Sequence, residues 1–181
     1  MSWLPNEWPK TVVMIERSQM GEKGLEFIPT GTGFITEYGK VNILVTCKHT
    51  VFDLAEKKLL TNLFVSFNLR NGSRTRRSFD EMKRDFAVEW LFPEDEQVDL
   101  AVMPYLIDEQ RDDVRRMGRD LYESIDNLFE GDEIFFLGFP LGIDTGVQNA
   151  IRPVVRQGII SLIQQDKNFI IDAHAVIIIC N

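Results

Sequence analysis

Short apolar runs rich in Val, Ile and Phe recur along the chain, each bounded by Gly, Pro, Asn or Asp. The earlier ones are TVVMIE (11–16), GLEFIPT (24–30), TGFITEY (32–38), VNILVTC (41–47), LFVSFNL (63–69), FAVEWLF (86–92) and DLAVMPY (99–105). Beyond residue 130 come EIFFLGF (133–139), IRPVVRQGIISLI (151–163) and NFIIDAHAVIII (168–179). Runs this short, β-branched and punctuated by turn formers predict strands rather than helices. Ten of them, with no repeat at a period of about 20–50 residues, predict an all-β sandwich or barrel rather than a solenoid or propeller.

One segment breaks the pattern. IDEQRDDVRRMGRDLYESIDNL (107–128) sets Val114, Met117, Leu121, Ile125 and Leu128 at spacings of three and four. That spacing predicts an amphipathic helix with a charged outer face, although Gly118 weakens it. It divides the chain into strand-rich halves, 1–106 and 129–181, and reads as their connector. A basic run, RNGSRTRRSFDEMKR (70–84), follows the fifth predicted strand, and Asn71-Gly72 marks a tight turn within it. The run reads as a solvated hairpin loop, or alternatively as a patch for an acidic partner.

With 181 residues, 44% of them hydrophobic and 27% charged, the chain is long enough for one ordinary domain or two small lobes. A net charge of −8 and a pI of about 4.8 argue against nucleic acid as a partner, because phosphate binding needs a positive footprint. MSWLPNEWPK has no apolar signal-peptide core, and no apolar run reaches the length of a membrane span. The expectation is a soluble, cytoplasmic chain with no membrane partner. Cys47, Cys180, His49 and His174 could together supply zinc ligands, but they lack the spacing of a metal motif. Reduced thiols are the plainer reading, and no metal or cofactor is expected.

His49, after the apolar run NILVTC, and Asp99, in EQVDLAVM, would each pass alone as structural residues. Their frames change that. GTGFIT (31–36), LVTCKHTV (44–51), VDLAVM (98–103) and GDEIFFLGFPLG (131–142) stand in an order that resembles the trypsin-like serine peptidases, the bacterial HtrA-like domains among them. RPVVRQGIISLI (152–163) and IDA (171–173) extend the likeness over about 150 residues, from Thr30 onward. Cys47 and Lys48, where that family has small residues, depart from it, as does everything after His174.

The resemblance implies an all-β, double β-barrel trypsin-like fold with a short inter-barrel helix. The first barrel (1–106) would hold the catalytic His49 and Asp99, residues 107–128 the helix, and 129–181 an incomplete second barrel. It implies a polypeptide substrate and a triad in which His49 is the general base and Asp99 fixes its tautomer. Gly31 and Gly33 would make tight corners, and Gly138 and Pro140 a turn.

In that family the nucleophile follows the Asp of the Asp-Ala pair by eight residues, a register that, counted from Asp172, falls on Cys180. A thiolate can replace a hydroxyl, yet Ile177, Ile178 and Ile179 suit a nucleophile turn badly. No serine occurs after Ser161. The sequence therefore reads as a trypsin-like domain cut short before its nucleophile, or as a non-catalytic relative that binds peptides or a partner protein. The peptidase frame places the Asp99 carboxylate within about 3.2 Å of an imidazole nitrogen. An unrelated all-β protein would leave the two residues far apart.

Overall fold

A computed structural model describes residues 7–139, 150–164 and 168–173. The strands are β1 (Val12–Gly21), β2 (Gly24–Tyr38), β3 (Val41–Thr46), β4 (Phe52–Asp53), β5 (Lys58–Leu59), β6 (Leu63–Asn68), β7 (Arg74–Ser78), β8 (Ala101–Pro104), β9 (Glu133–Gly138), β10 (Val154–Ile163) and β11 (Phe169–Ala173). Two short α-helices, α1 (Lys48–Val51) and α2 (Phe79–Phe86), interrupt them. The protein is mostly β, as the apolar runs predict. No helix among the described residues is long and apolar enough to cross a membrane.

Six strands form one antiparallel sheet in the order β7-β6-β1-β2-β3-β8. Its side chains from β1, β2, β3, β6 and β8 share a single core around Val13, Ile15, Ile35, Leu44, Val65 and Met103. Arg77 of β7 donates from Nη1 to the carbonyl of Leu106, just past β8, at 2.6 Å. The described residues show no backbone pairing between β7 and β8.

β1 is buried on both faces at its start. Val13 and Ile15 enter the main core, while Met14 on the opposite face packs with Phe139 and Ile151. The latter two flank the second, three-stranded sheet, ordered β11-β10-β9. Polar contacts seal the junction: the Phe139 amide donates to Thr32 Oγ1 at 2.7 Å, and the Asn68 amide exchanges two hydrogen bonds with the Ile151 backbone.

The connecting helix expected over 107–128 does not form; only 3-10 turns at Arg119–Leu121 and Ile125–Asn127 are present. The backbone finds partners elsewhere. Asp113 N–H bonds to Asn68 O, Arg115 N–H to Lys10 O and Met117 N–H to Ile35 O, each at 2.9 Å. Asp112 is fully buried and receives the Arg77 guanidinium at 2.6 Å. Val114 enters the main core whereas Leu121 is exposed, so the apolar spacing served two environments rather than one helix face. Tertiary pairing outweighed a periodic pattern already weakened by Gly118 and five aspartates.

The basic run also resolves differently. Its tip is the expected turn, with Gly72 at φ +83° and Leu69 N–H bonded to Ser73 O at 2.7 Å. Beyond the tip lie β7 and then α2, not a solvated loop. Ser78 caps α2 by accepting from the Glu81 amide at 3.4 Å, and Ala87 in the left-handed region (φ 53°) ends it. Arg74 and Arg76 both meet Glu16, which is 1% exposed and also bonded by Ser66. These arginines are therefore engaged within the chain. FAVEWLF makes no strand: Phe86 closes α2, and Leu91 alone bridges Val102.

Candidate functional site

β3 and β8 build the site. They pair antiparallel with Thr46 opposite Ala101. Asp99 stands two residues before β8 and His49 three after β3, so the end of this pairing brings the two segments together. β3 ends after Thr46, whose hydroxyl donates to Thr32 O at 2.9 Å. Cys47 is extended (φ −69°, ψ 141°), and the chain then makes the single turn of α1, closed by Thr50 N–H to Cys47 O at 3.1 Å. Val51 is fully buried and Thr50 nearly so, which anchors α1 and leaves the His49 ring at the surface.

Gly31 explains how α1 can lie so close to β2. A Cβ there would stand 2.6 Å from Thr50 Cγ2. At Gly33 a Cβ would meet Leu44 Cδ1 at 2.6 Å and Val45 O at 3.2 Å. Both glycines thus serve close approach along β2 rather than a corner. The strand does bend just before them, where Ile15 faces Gly31 but Glu16 faces Pro29, leaving Thr30 as the extra residue of a bulge. Gly138 ends β9 and admits Thr32 rather than making a turn; Pro140 lies outside the described residues.

Asp99 grips His49 twice. Its Oδ1 accepts from the His49 backbone N–H at 2.9 Å, and its Oδ2 stands 2.5 Å from His49 Nδ1. An ionised carboxylate can only accept, so Nδ1 carries the proton and Nε2 is left with a lone pair. The side chains are 47% and 22% exposed, so the ring is accessible while its orienting carboxylate is sheltered. The arrangement can take a proton at Nε2, with Asp99 stabilising the imidazolium that results.

The two departures from the family pattern have different places. Lys48 turns away, its ammonium 5.6 Å and 5.7 Å from the ring centroids of Phe52 and Phe92. Cys47, half-buried, offers its sulfur within 4.8 Å of the ligand atoms of His49 and Asp99. Sequence reading weighed Cys47 only with His49, Cys180 and His174 and missed Asp99 as the third member. Cys180 and His174 lie outside the described residues.

A cavity of about 560 Å³ opens elsewhere, lined by Asn68, Arg70, Asp113, Phe139, Ile151 and Arg152 among others. None of its lining residues belongs to the His49 site. Searched against protein-family models and against curated proteins, the chain matches none of either.

Proposed function

We propose that the chain carries the acid–base half of a trypsin-like serine endopeptidase. The hydrogen bond between His49 Nδ1 and Asp99 Oδ2 carries this reading, because it joins residues fifty apart in the one geometry a triad requires. The order of strands supports it too. In the proposed double barrel, the six-stranded sheet is the first barrel and β9–β11 belong to the second. A polypeptide would be the substrate. His49 would take the proton of a hydroxyl nucleophile at Nε2 and return it to the leaving amine, while Asp99 holds the ring.

The nucleophile is the missing partner. Ser161 is the last serine of the sequence and lies within β10, far along the chain from the family's nucleophile register. Cys180 occupies that register, but the three preceding isoleucines disfavour the glycine-dependent turn that an oxyanion hole needs. Losing the nucleophile lowers turnover by roughly 10⁶-fold in a triad enzyme. The 181-residue chain should therefore hydrolyse peptides undetectably. The second reading is a non-catalytic relative that holds peptides or a protein partner without cutting them, and the coding sequence past residue 181 separates the two.

The test has two arms. The chain as given is incubated with an unfolded protein substrate, beside its His49→Ala variant. The source DNA is read past codon 170 in all three frames, and any longer product is assayed in the same way. Hydrolysis by a longer product carrying a serine loop, abolished by His49→Ala, is the expected result. A hydrolysis rate in the 181-residue chain that disappears with His49→Ala would contradict the account of the missing nucleophile. If no frame resumes, peptide binding by the intact chain becomes the reading to measure.

A further inference from the structure

We infer that Cys47, His49 and Asp99 form a binding site for a thiophilic divalent cation, zinc foremost. Three chemically different donors converge there: a thiol sulfur, an imidazole nitrogen and a carboxylate oxygen, all within 4.8 Å of one another. Bond lengths of about 2.3 Å to sulfur and about 2.0–2.2 Å to nitrogen and oxygen put tetrahedral zinc ligands roughly 3.4–3.6 Å apart. His49 Nδ1 and Asp99 Oδ2, now at 2.5 Å, must open by roughly 1 Å. Asp99 Oδ1 can stay on the His49 amide throughout, which keeps the carboxylate in place.

Cys47 directly follows β3 and Asp99 shortly precedes its partner β8, the Asp99 carboxylate is tied to the His49 amide at 2.9 Å, and His49 is carried by the turn of α1 packed on Gly31. The donor set selects the ion. Magnesium and calcium take oxygen ligands, whereas one thiolate with one imidazole suits zinc and its soft neighbours. The half-exposed His49 ring leaves an entry path and a fourth position for water.

Binding is balanced by proton release. The Cys47 thiol gives its proton to solvent and binds as thiolate, so affinity rises with pH. His49 Nδ1 gives up its proton to become a ligand, and Nε2 takes one from water. The ring then has no lone pair at Nε2. Cation binding and general-base action at His49 are therefore mutually exclusive. That last consequence rests on the peptidase reading; the metal site does not.

The test uses the full 181-residue chain, tag-free and stripped with chelator, and no peptide substrate. Cobalt(II) is added as a spectroscopic stand-in, and zinc then competes for it. The expected result is near-ultraviolet sulfur-to-cobalt absorption in the parent and in Cys180→Ala, lost in Cys47→Ala, with zinc affinity falling about tenfold or more in Cys47→Ala and Asp99→Asn. Circular dichroism in chelator verifies that each variant is folded. In the parent itself, zinc should move the His49 ring resonances. Parent protein that gives no thiolate absorption, unshifted His49 resonances, or a folded Cys47→Ala variant that binds zinc as tightly as the parent overturns the proposal. Because the assay contains no peptide, its failure would leave the hydrolysis reading standing, and the reverse holds equally.

Discussion

Replacing Gly31 by alanine should strain the floor beneath His49, by an amount that a second substitution can isolate. The added Cβ would stand 2.6 Å from Thr50 Cγ2 and 2.8 Å from its Oγ1, with Thr50 buried and stiff at χ1. α1 cannot withdraw easily, because Val51 is fully buried and the turn is closed by Thr50 N–H to Cys47 O. Overpacking of this kind costs about 1–3 kcal/mol. The loss of chain entropy in the unfolded state returns about 0.4–1 kcal/mol, since the Gly31 backbone is open to alanine. In a Thr50→Ala background both crowding atoms are gone, and the nearest neighbour becomes the residue-50 Cβ at 3.4 Å, an ordinary contact. Gly31→Ala should then be neutral or slightly stabilising. Urea unfolding of the parent, the two single variants and the double variant yields the coupling directly, and the unfolded-state term cancels in the cycle. A coupling of about 1–3 kcal/mol is expected; effects that add to within about 0.5 kcal/mol would refute the packing argument.

Three further expectations concern the rest of the fold. Glu16→Gln keeps the shape but removes the charge facing Arg74 and Arg76, so urea unfolding should show a loss of about 2–4 kcal/mol, the upper range being reduced because both arginines retain some exposure. Burial pushes the Glu16 carboxyl up, but hydrogen bonds from Arg74, Ser66 and Arg76 outweigh it and leave it below its ordinary value of 4.5. The unfolded chain therefore binds this proton first, and the stability due to Glu16 should be present above pH 4.5 and lost progressively below it; a Glu16→Gln chain should show a flatter acid limb. The buried Tyr105 hydroxyl lies near Arg77 but makes no well-formed hydrogen bond among the described residues, so Tyr105→Phe should leave thermal stability unchanged or raise it.

How much of this was legible beforehand depended on where each residue finds its partner. The strands were readable because short β-branched runs between turn formers carry their own signal; Val12, Val13 and Ile15 announce β1 without help. The pairing of His49 with Asp99 was readable from the short frames around them, although the approach of Thr50 to Gly31 and of the Cys47 sulfur to Asp99 was not. Residues 107–128 misled because a helical spacing was shared between the core, which takes Val114, and solvent, which takes Leu121. The deciding bonds, to Asn68, Lys10 and Ile35, run to residues far away in sequence. α2 is a different failure. Its signal was local, a Ser78–Glu81 capping pair ahead of Phe79 and Met82, and it was hidden inside a run read for its charge. The same charges, Arg74 and Arg76, were taken for a solvated surface because their counter-ion, Glu16, sits at the end of an apolar run some sixty residues earlier.

The account turns on which nitrogen of His49 carries the proton, and imidazole ¹⁵N–¹H spectroscopy of the chelator-treated chain reads that directly. The prediction is a neutral ring protonated at Nδ1, with a strongly downfield proton that disappears in Asp99→Asn, and with Nε2 unprotonated. A neutral ring protonated at Nε2, or an Nδ1 proton indifferent to Asp99→Asn, would contradict the claim that these two residues form an acid–base pair.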